Sequence, residues 1–325
     1  MRQCGVVITM TNPFLAFTTQ QVILVTGGTG FVGSHLINQL LEAGHKVFLL
    51  TRQVDKVNAK WLAAGVVAID TLTDIPASQR IDAVINLAGA RILGLPWTDA
   101  RRAILRDSRV GLTEHLVSWM RNLEQKPKLF ISASAIGYYG IQHLSDDSSL
   151  TEACPAQNIF MSNLCRQWEE AAQRANELGV PAIITRFGVV LGKGGALPSL
   201  LLPIKLGLGG PLGSGKQWMS WIHIQDLLAG LANVWLEQLA APSVCNVYNF
   251  TAPEALRQKE FSCVAARVLG RPCWFPTPSW PMKLVLGEQS QLLLEGQRVF
   301  PSALLAQGFT FEFPTLESAL ENLCR

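Results

Sequence analysis

Charge is scarce in this chain of 325 residues: Asp, Glu, Lys and Arg make up 16% of it, and the net charge is only +3. No run of lysines or arginines stands out, so no polyanion-binding face is expected and nucleic acid is not a partner. Tyrosine is rarer still, with 3 in the whole chain. The 7 cysteines, at positions 4, 154, 165, 245, 263, 273 and 324, form no CxxC pair and no His/Cys cluster at metal-ligand spacing. No metal site is expected, and the odd, dispersed set reads as reduced thiols in a cytoplasmic protein. Long apolar runs are missing too. Residues 3–41 contain no Asp, Glu, Lys or Arg, yet Thr, Gln, Asn, Pro and Gly interrupt them before a membrane-spanning length accumulates. No transmembrane segment is expected, while a mean hydropathy of +0.24 leaves peripheral membrane contact open. The abundant material is apolar side chain, 49% of the residues, which builds a sizeable core and excludes disorder.

One segment carries the strongest signal. Val22-Ile23-Leu24-Val25-Thr26 is an apolar, β-branched run that ends in Gly27-Gly28-Thr29-Gly30-Phe31-Val32-Gly33. Phe31, Val32, Leu36, Leu40 and Leu41 follow at helical spacing, and Gly44 stops the helix. Strand, tight turn and helix N-terminus in this order cradle a dinucleotide pyrophosphate. Gly27 permits the sharp exit from the strand, Gly30 lets backbone N–H groups approach phosphate, and Gly33 lets the helix pack closely. The free N–H groups and the positive end of the helix dipole then favour the anion.

Further short apolar runs read as strands at residues 46–50, 66–69, 83–87, 129–132 and 182–185, with helical patterns at 97–120 and 160–178. Alternating strands and helices, each strand apolar on both faces, predict an α/β fold: a Rossmann-type doubly wound parallel sheet. From Gly192 the character changes, with 8 glycines and 3 prolines in residues 192–217. The expected organisation is an N-terminal extension (1–21), a Rossmann domain (22–191) and a smaller, partly interleaved substrate-covering domain (192–325). Residues 218–250 are expected to return to the Rossmann sheet.

The residue after the second strand selects the dinucleotide. An acid there would accept from the ribose 2′-OH of NAD, but this chain has Thr51-Arg52. An arginine suits a 2′-phosphate, so NADP(H) is favoured over NAD(H). Asn86-Leu87-Ala88-Gly89 ends the fourth strand in small residues that let the adenine-ribose side lie against backbone.

Together the TGGTGFVG loop, the NLAG strand end, Ser132-Ala133-Ser134 and the run RFGVVL at 186–191 resemble an extended short-chain dehydrogenase/reductase. SASAIGYYG (132–140), GLGGPLGSGKQWMSWIHIQD (207–226) and the C-terminal part (about 275–323) resemble its epimerase-like subfamily with a DUF1731 domain. Cyanobacterial and plastid members of that subfamily bear cell-division names. The resemblance implies NADP(H) contacts at Gly27, Thr29, Gly30, Phe31, Val32, Thr51, Arg52, Leu87 and Ala88, with Val189 near the nicotinamide. Arg109 stands where many relatives carry Asn; it either neutralises pyrophosphate or an anionic substrate, or forms a surface ion pair.

The resemblance also implies a Ser or Thr that orients a substrate hydroxyl, and a Tyr four residues before a Lys that moves the proton. Ser134 fits the first role. Where the dyad is expected the chain has Phe160 and Leu164, which neither titrate nor carry charge. Tyr138 and Tyr139 either supply a phenol from another direction or pack over the cleft. Lys216, in a loop whose glycines suit either an anion nest or positive-φ turns, and His223, which either faces substrate or is a core histidine, are candidate substrate contacts. Asp226 reads as a structural hydrogen-bond acceptor. Two functions stay open: an NADP(H)-dependent, epimerase-like oxidoreductase acting on a small oxygenated substrate, or a weakly catalytic NADP(H)-binding regulator linked to cell or plastid division.

Overall fold

Short apolar runs separated by amphipathic helices fold as their periodicity requires. The computed structural model describes residues 12–92, 94, 96–241, 246–276, 290 and 294–324. In chain order the first half contains β1 (Val22–Thr26), α1 (Phe31–Glu42), β2 (Lys46–Leu50), α2 (Ala59–Ala63), β3 (Val67–Ile69) and β4 (Ala83–Asn86). Then come α3 (Asp99–Arg106), α4 (Leu112–Asn122), β5 (Leu129–Ala135), α5 (Phe160–Gln173) and β6 (Ala182–Phe187). The second half adds β7 (Val189–Leu191), α6 (Leu197–Lys205), β8 (Trp218–Met219), β9 (Trp221–His223), α7 (Ile224–Ala240) and β10 (Val247–Phe250). It closes with β11 (Leu256–Arg257), α8 (Gln258–Val268), α9 (Ser302–Ala306) and α10 (Leu316–Cys324).

Seven parallel strands form one sheet in the order β10-β6-β5-β4-β1-β2-β3. Both faces are covered, as a parallel sheet demands. Leu36, Ile37 and Leu40 of α1 and Leu227, Leu231 and Trp235 of α7 bury one face. Leu116, Val117 and Met120 of α4 and Ala172 of α5 bury the other. Strand order reverses between β1 and β4, so a crevice opens at the carboxyl ends of these two strands, where ligands bind in such sheets. A separate apolar cluster joins α6, α8 and α10 through Leu201, Phe261 and Leu320.

Several expectations are adjusted. The helical stretch at 97–120 is broken by a π turn at Asp107–Gly111 between α3 and α4. The glycine- and proline-rich stretch still forms α6, with a proline in its first turn. Among the described residues of 218–250, β10 is the strand that joins the main sheet; β8 pairs with β11, and β9 with β7. Residues 12–21 belong to the fold rather than to a loose extension. Phe14 is fully buried, and the Phe17 ring meets Trp235 at 4.6 Å. Residues 1–11 lie outside the described residues, as do many of the DUF1731-like stretch.

The expectation of reduced thiols fails at one pair. Cys263 on α8 and Cys273 form a disulfide, with Cα atoms 5.3 Å apart. Gly270, at φ +62°, turns the chain back after α8 and brings the two together. Sequence spacing alone does not show such a return.

Candidate functional site

The β1–α1 turn forms a cradle. Gly27 sits at φ +68°, and a Cβ there would lie 2.6 Å from the Leu87 carbonyl and 2.7 Å from the Ala88 nitrogen. A Cβ on Gly33 would run into the Gly27 carbonyl oxygen and lie 2.6 Å from the Gly28 Cα. Only glycine permits these approaches. Gly30 occupies the N-cap of α1 without a side-chain cap, and the first turn holds no acid. Backbone N–H groups there stay available to an anion, and Thr29 and Gly30 are solvent-exposed beside them. These residues fit a dinucleotide pyrophosphate. At the end of β2, Thr51 is held by its N–H to the Ile69 carbonyl at 2.9 Å, and Arg52 projects exposed into solvent.

Ser134, at the end of β5, is 2% exposed and lies in a buried polar chain. Its Oγ donates to Glu169 Oε1 at 2.6 Å. Arg186 on β6 grips the same carboxylate, Nε to Oε1 at 2.9 Å and Nη2 to Oε2 at 2.8 Å. Burial works against the Arg186 charge, but the Glu169 carboxylate more than offsets it and holds the guanidinium protonated. Arg186 Nη1 then donates to the Tyr139 hydroxyl at 3.0 Å, which donates onward to Asn249 Oδ1 at 2.7 Å.

This chain separates the two adjacent tyrosines. Burial pushes the Tyr139 phenol up to about 12, and its proton is committed to Asn249. Tyr139 thus takes the packing role that was its alternative, linking the turn after β5 to β6 and β10. Tyr138 is half-buried with its ring face 3.4 Å beneath the Arg186 guanidinium carbon, and its hydroxyl makes no hydrogen bond among the described residues.

The helix that should carry the Tyr/Lys dyad is α5. Phe160 packs its ring against Trp97 at 5.2 Å, and Leu164 is buried with Leu105 and Trp168, so both serve the core. Beside the turn that follows β5, Met161 and Cys165 of α5 lie 3.7 and 3.9 Å from where a Cβ on Gly137 would sit. Burial pushes the Cys165 thiol up to about 12, so it stays neutral. Neither register supplies a phenol or an ammonium.

Arg109 lies in the π turn, 8% exposed. It makes no ion pair among the described residues: Nη2 donates to the Ala90 carbonyl at 2.9 Å and Nη1 to the Leu105 carbonyl at 3.3 Å. Val189 begins β7, half-buried, with its N–H on the Ser220 carbonyl at 2.9 Å. Lys216 is exposed, and its loop already uses amides internally: Leu212 N–H on Gln258 Oε1 at 2.7 Å, Gly215 N–H on the Leu212 carbonyl at 3.0 Å.

Of its two readings, His223 takes the core position rather than that of a substrate contact. It is 1% exposed, caps α7 by accepting from the Gln225 N–H at 3.1 Å, and lies on the Phe313 ring at 3.9 Å. Burial pulls its pKa down to about 4. It borders a different concavity, about 470 Å³, shared with His35, Gln39, Lys193 and Asn322. Asp226 is the acceptor it was expected to be, holding the N–H groups of Glu312 and Phe313 at 2.7 and 3.0 Å. Sequence reasoning missed Glu169 and Asn249, which no local pattern distinguishes from surface polar residues. Arg186 stood in the RFGVVL motif without a role.

Among the described residues no cluster of His, Cys, Asp and Glu is fit to hold a metal ion, and no helix is long and apolar enough to cross a membrane. Residues 277–323 match a domain of unknown function, DUF1731. The chain is 36% identical over 308 residues to the epimerase family protein YfhF of Bacillus subtilis, covering 93% of this chain and 97% of that one. It is also 36% identical over 311 residues to the chloroplastic SDR39U1 homolog of Arabidopsis thaliana, with coverages of 94% and 87%. The crystal structure of human SDR39U1 isoform 2 with NADPH superposes with a TM-score of 0.77 at 36% identity, covering 93% of this chain and 99% of that one. Residues 23–249 match the NAD dependent epimerase/dehydratase family, and with the glycine cradle, the parallel sheet and these relatives the chain belongs to that family, as an epimerase family protein of the extended short-chain dehydrogenase/reductase type.

Proposed function

We propose that this chain binds NADP(H) across the β1/β4 crevice and works as an epimerase-like oxidoreductase on a small oxygenated substrate near the end of β5. The observation that carries the reading is the uncapped, acid-free N-terminus of α1 set against Gly27 and the Leu87–Ala88 backbone. The 36% identical human protein crystallised with NADPH supports it, and the exposed Arg52 at the end of β2 suits a 2′-phosphate. Gly27, Thr29, Gly30, Phe31 and Val32 would hold the diphosphate, Thr51 and Arg52 the adenosine end. Leu87, Ala88 and Gly89 would floor the ribose, and Val189 would flank the nicotinamide.

When bound, the nicotinamide supplies the hydride chemistry. The chain's own contribution is positioning. Ser134 presents lone pairs to a substrate hydroxyl while Glu169 holds its proton, and Tyr138 is the phenol free to move a proton. A cytoplasmic location belongs to the same reading. In a reducing compartment the Cys263–Cys273 disulfide would open, so protein alkylated at lysis should carry label on both thiols.

Calorimetric titration of the purified chain with NADPH and NADH tests binding, and absorbance of the reduced nicotinamide across a panel of carbonyl and carbinol compounds tests turnover. Saturable NADPH binding with turnover is expected. No binding to either nucleotide overturns the reading, and tight binding without turnover on any compound supports a nucleotide-sensing regulator instead.

A further inference from the structure

Two arginines reach neighbouring carbonyls of the short segment that leaves β4. Arg109 Nη2 donates to the Ala90 carbonyl at 2.9 Å, and Arg101 Nη2 donates to the Arg91 carbonyl. Both guanidinium groups are thereby tied to the same short stretch, one and two residues beyond Gly89, and close enough for the Arg101 charge to bear on Arg109. Neither meets a carboxylate among the described residues. The remaining contacts of Arg109 are the Leu105 carbonyl and Ser108 Oγ at 3.4 Å, and the Arg101 Nε is buried with no hydrogen bond. Asp107, the acid of the same π turn, is 73% exposed and faces Arg106 at 3.9 Å instead.

The arrangement is unfavourable as it stands. The Arg109 guanidinium lies between Gly89, where a Cβ would come within 2.9 Å of Nη2, and the Trp168 ring, 5.4 Å from its central carbon. Burial first, and the Arg101 charge as a further cause, weaken its hold on its proton. Arg186, equally buried, is answered by a two-pronged contact with Glu169. A buried cation left with carbonyls alone keeps much of its desolvation cost, and a second cation beside it adds repulsion. The π turn that places Arg109 is a rare element, and such turns concentrate at functional sites.

We propose that Arg101 and Arg109 form a receptor for the anionic group, a carboxylate or a phosphate, of a second small ligand lying beside the cofactor. The inference rests on the cofactor reading above and deepens it: the substrate is an acid or a phosphate ester rather than a neutral sugar or alcohol. Paired guanidinium forks match the oxygen geometry of both groups. An anion placed there cancels the repulsion between the two arginines and gives the orphaned Arg101 Nε an acceptor.

The test uses the full chain saturated with NADPH, at constant ionic strength set by KCl. Thermal shift and calorimetry follow titration with inorganic phosphate and, separately, with malonate; dimethyl malonate is the uncharged control. Saturable stabilisation by at least one anion and none by the ester is expected, and the stronger arm tells phosphate from carboxylate. Arg101→Met should weaken the anion by about tenfold, Arg101→Lys by less, because the charge survives without the fork. Arg109→Met should abolish the response; should that variant fail to fold, the half-buried Arg101 carries the test alone. Anion effects no larger than those of KCl overturn the proposal. So does a loss of NADPH affinity in Arg101→Met as large as its loss of anion affinity, since the arginines would then serve the cofactor's own phosphates. The titration is repeated without nucleotide: a chain that answers to the anion but never binds NADPH overturns the cofactor reading and supports the receptor.

Discussion

Ser134 donates its hydroxyl proton to Glu169 at 2.6 Å, and Glu169 gives its remaining capacity to Arg186. The hydroxyl at the end of β5 is thus turned inward, and under the proposed function a substrate would meet its lone pairs rather than its proton. Glu169 is the hinge of this arrangement, since it satisfies a buried serine and a buried arginine at once. Replacing it with glutamine keeps the shape and removes the charge that Arg186 needs. Glu169→Gln should cost about 3–5 kcal/mol of folding stability in urea denaturation. A loss below about 1 kcal/mol, the range of an exposed ion pair, would contradict the burial assigned to this contact.

The two tyrosines should separate in opposite ways. Tyr139→Phe removes a buried hydroxyl with partners on Asn249 and Arg186, so stability should fall by about 1–3 kcal/mol. Tyr138→Phe removes a hydroxyl with no partner among the described residues and should leave stability within about 0.5 kcal/mol. Once a turnover assay exists, the Tyr138 variant should lose about 10²–10⁴ in rate. Equal stability losses in the two variants would dismiss the distinction.

Arg52 should discriminate between nucleotides. A charge-assisted contact to a 2′-phosphate is worth about 1.5–3 kcal/mol, so Arg52→Ala should weaken NADPH by roughly ten- to a hundredfold. NADH, which lacks the phosphate, should bind as before. Parallel losses for both in a fluorescence titration would remove the basis for preferring NADP(H).

His223 and Asp226 should oppose each other in acid. His223 is held at about 4, below its ordinary 6.5, so its unfolded form takes up protons first and stability is lost as pH falls from 6.5 towards 4. Asp226 is held at about 6, above its ordinary 3.8, so the fold favours its protonated form and stability is lost as pH rises from 3.8 towards 6. Each effect is of order 3 kcal/mol, and between about pH 4 and 6 they largely cancel. His223→Gln should leave stability falling as pH rises through that window, and Asp226→Asn should leave it rising. Slopes of the same sign in denaturation series would refute the pairing.

Some of this was written locally. The glycine cradle was legible because Gly27 and Gly33 are excluded from other residues by backbone only a few positions away, or by the next strand of a sheet that apolar periodicity already predicts. The strands read at 22–26, 46–50, 83–87 and 182–185 were legible for the same reason, and form at 22–26, 46–50, 83–86 and 182–187. Tyr138 and Tyr139 were not separable, because adjacent residues share every local property until a short turn at Ile136–Tyr139 sends one ring into the core. His223 could not be assigned to core or substrate because its alternating strand context says nothing about Phe313, which arrives 90 positions later and covers it.

By itself the sequence determined where a nucleotide could be held, since steric exclusion at glycine and the period of apolar residues act over a few positions. Tertiary structure alone decided which buried charges are answered. Arg186 and Glu169 stand 17 positions apart, Ser134 and Glu169 35, Tyr139 and Asn249 110. Arg101 and Arg109 share a helix–turn segment, yet only its docking against the Ala90–Arg91 carbonyls leaves them together without a counter-ion. A charge is neutralised by whatever the fold places within hydrogen-bond reach, and reach is a property of the folded chain.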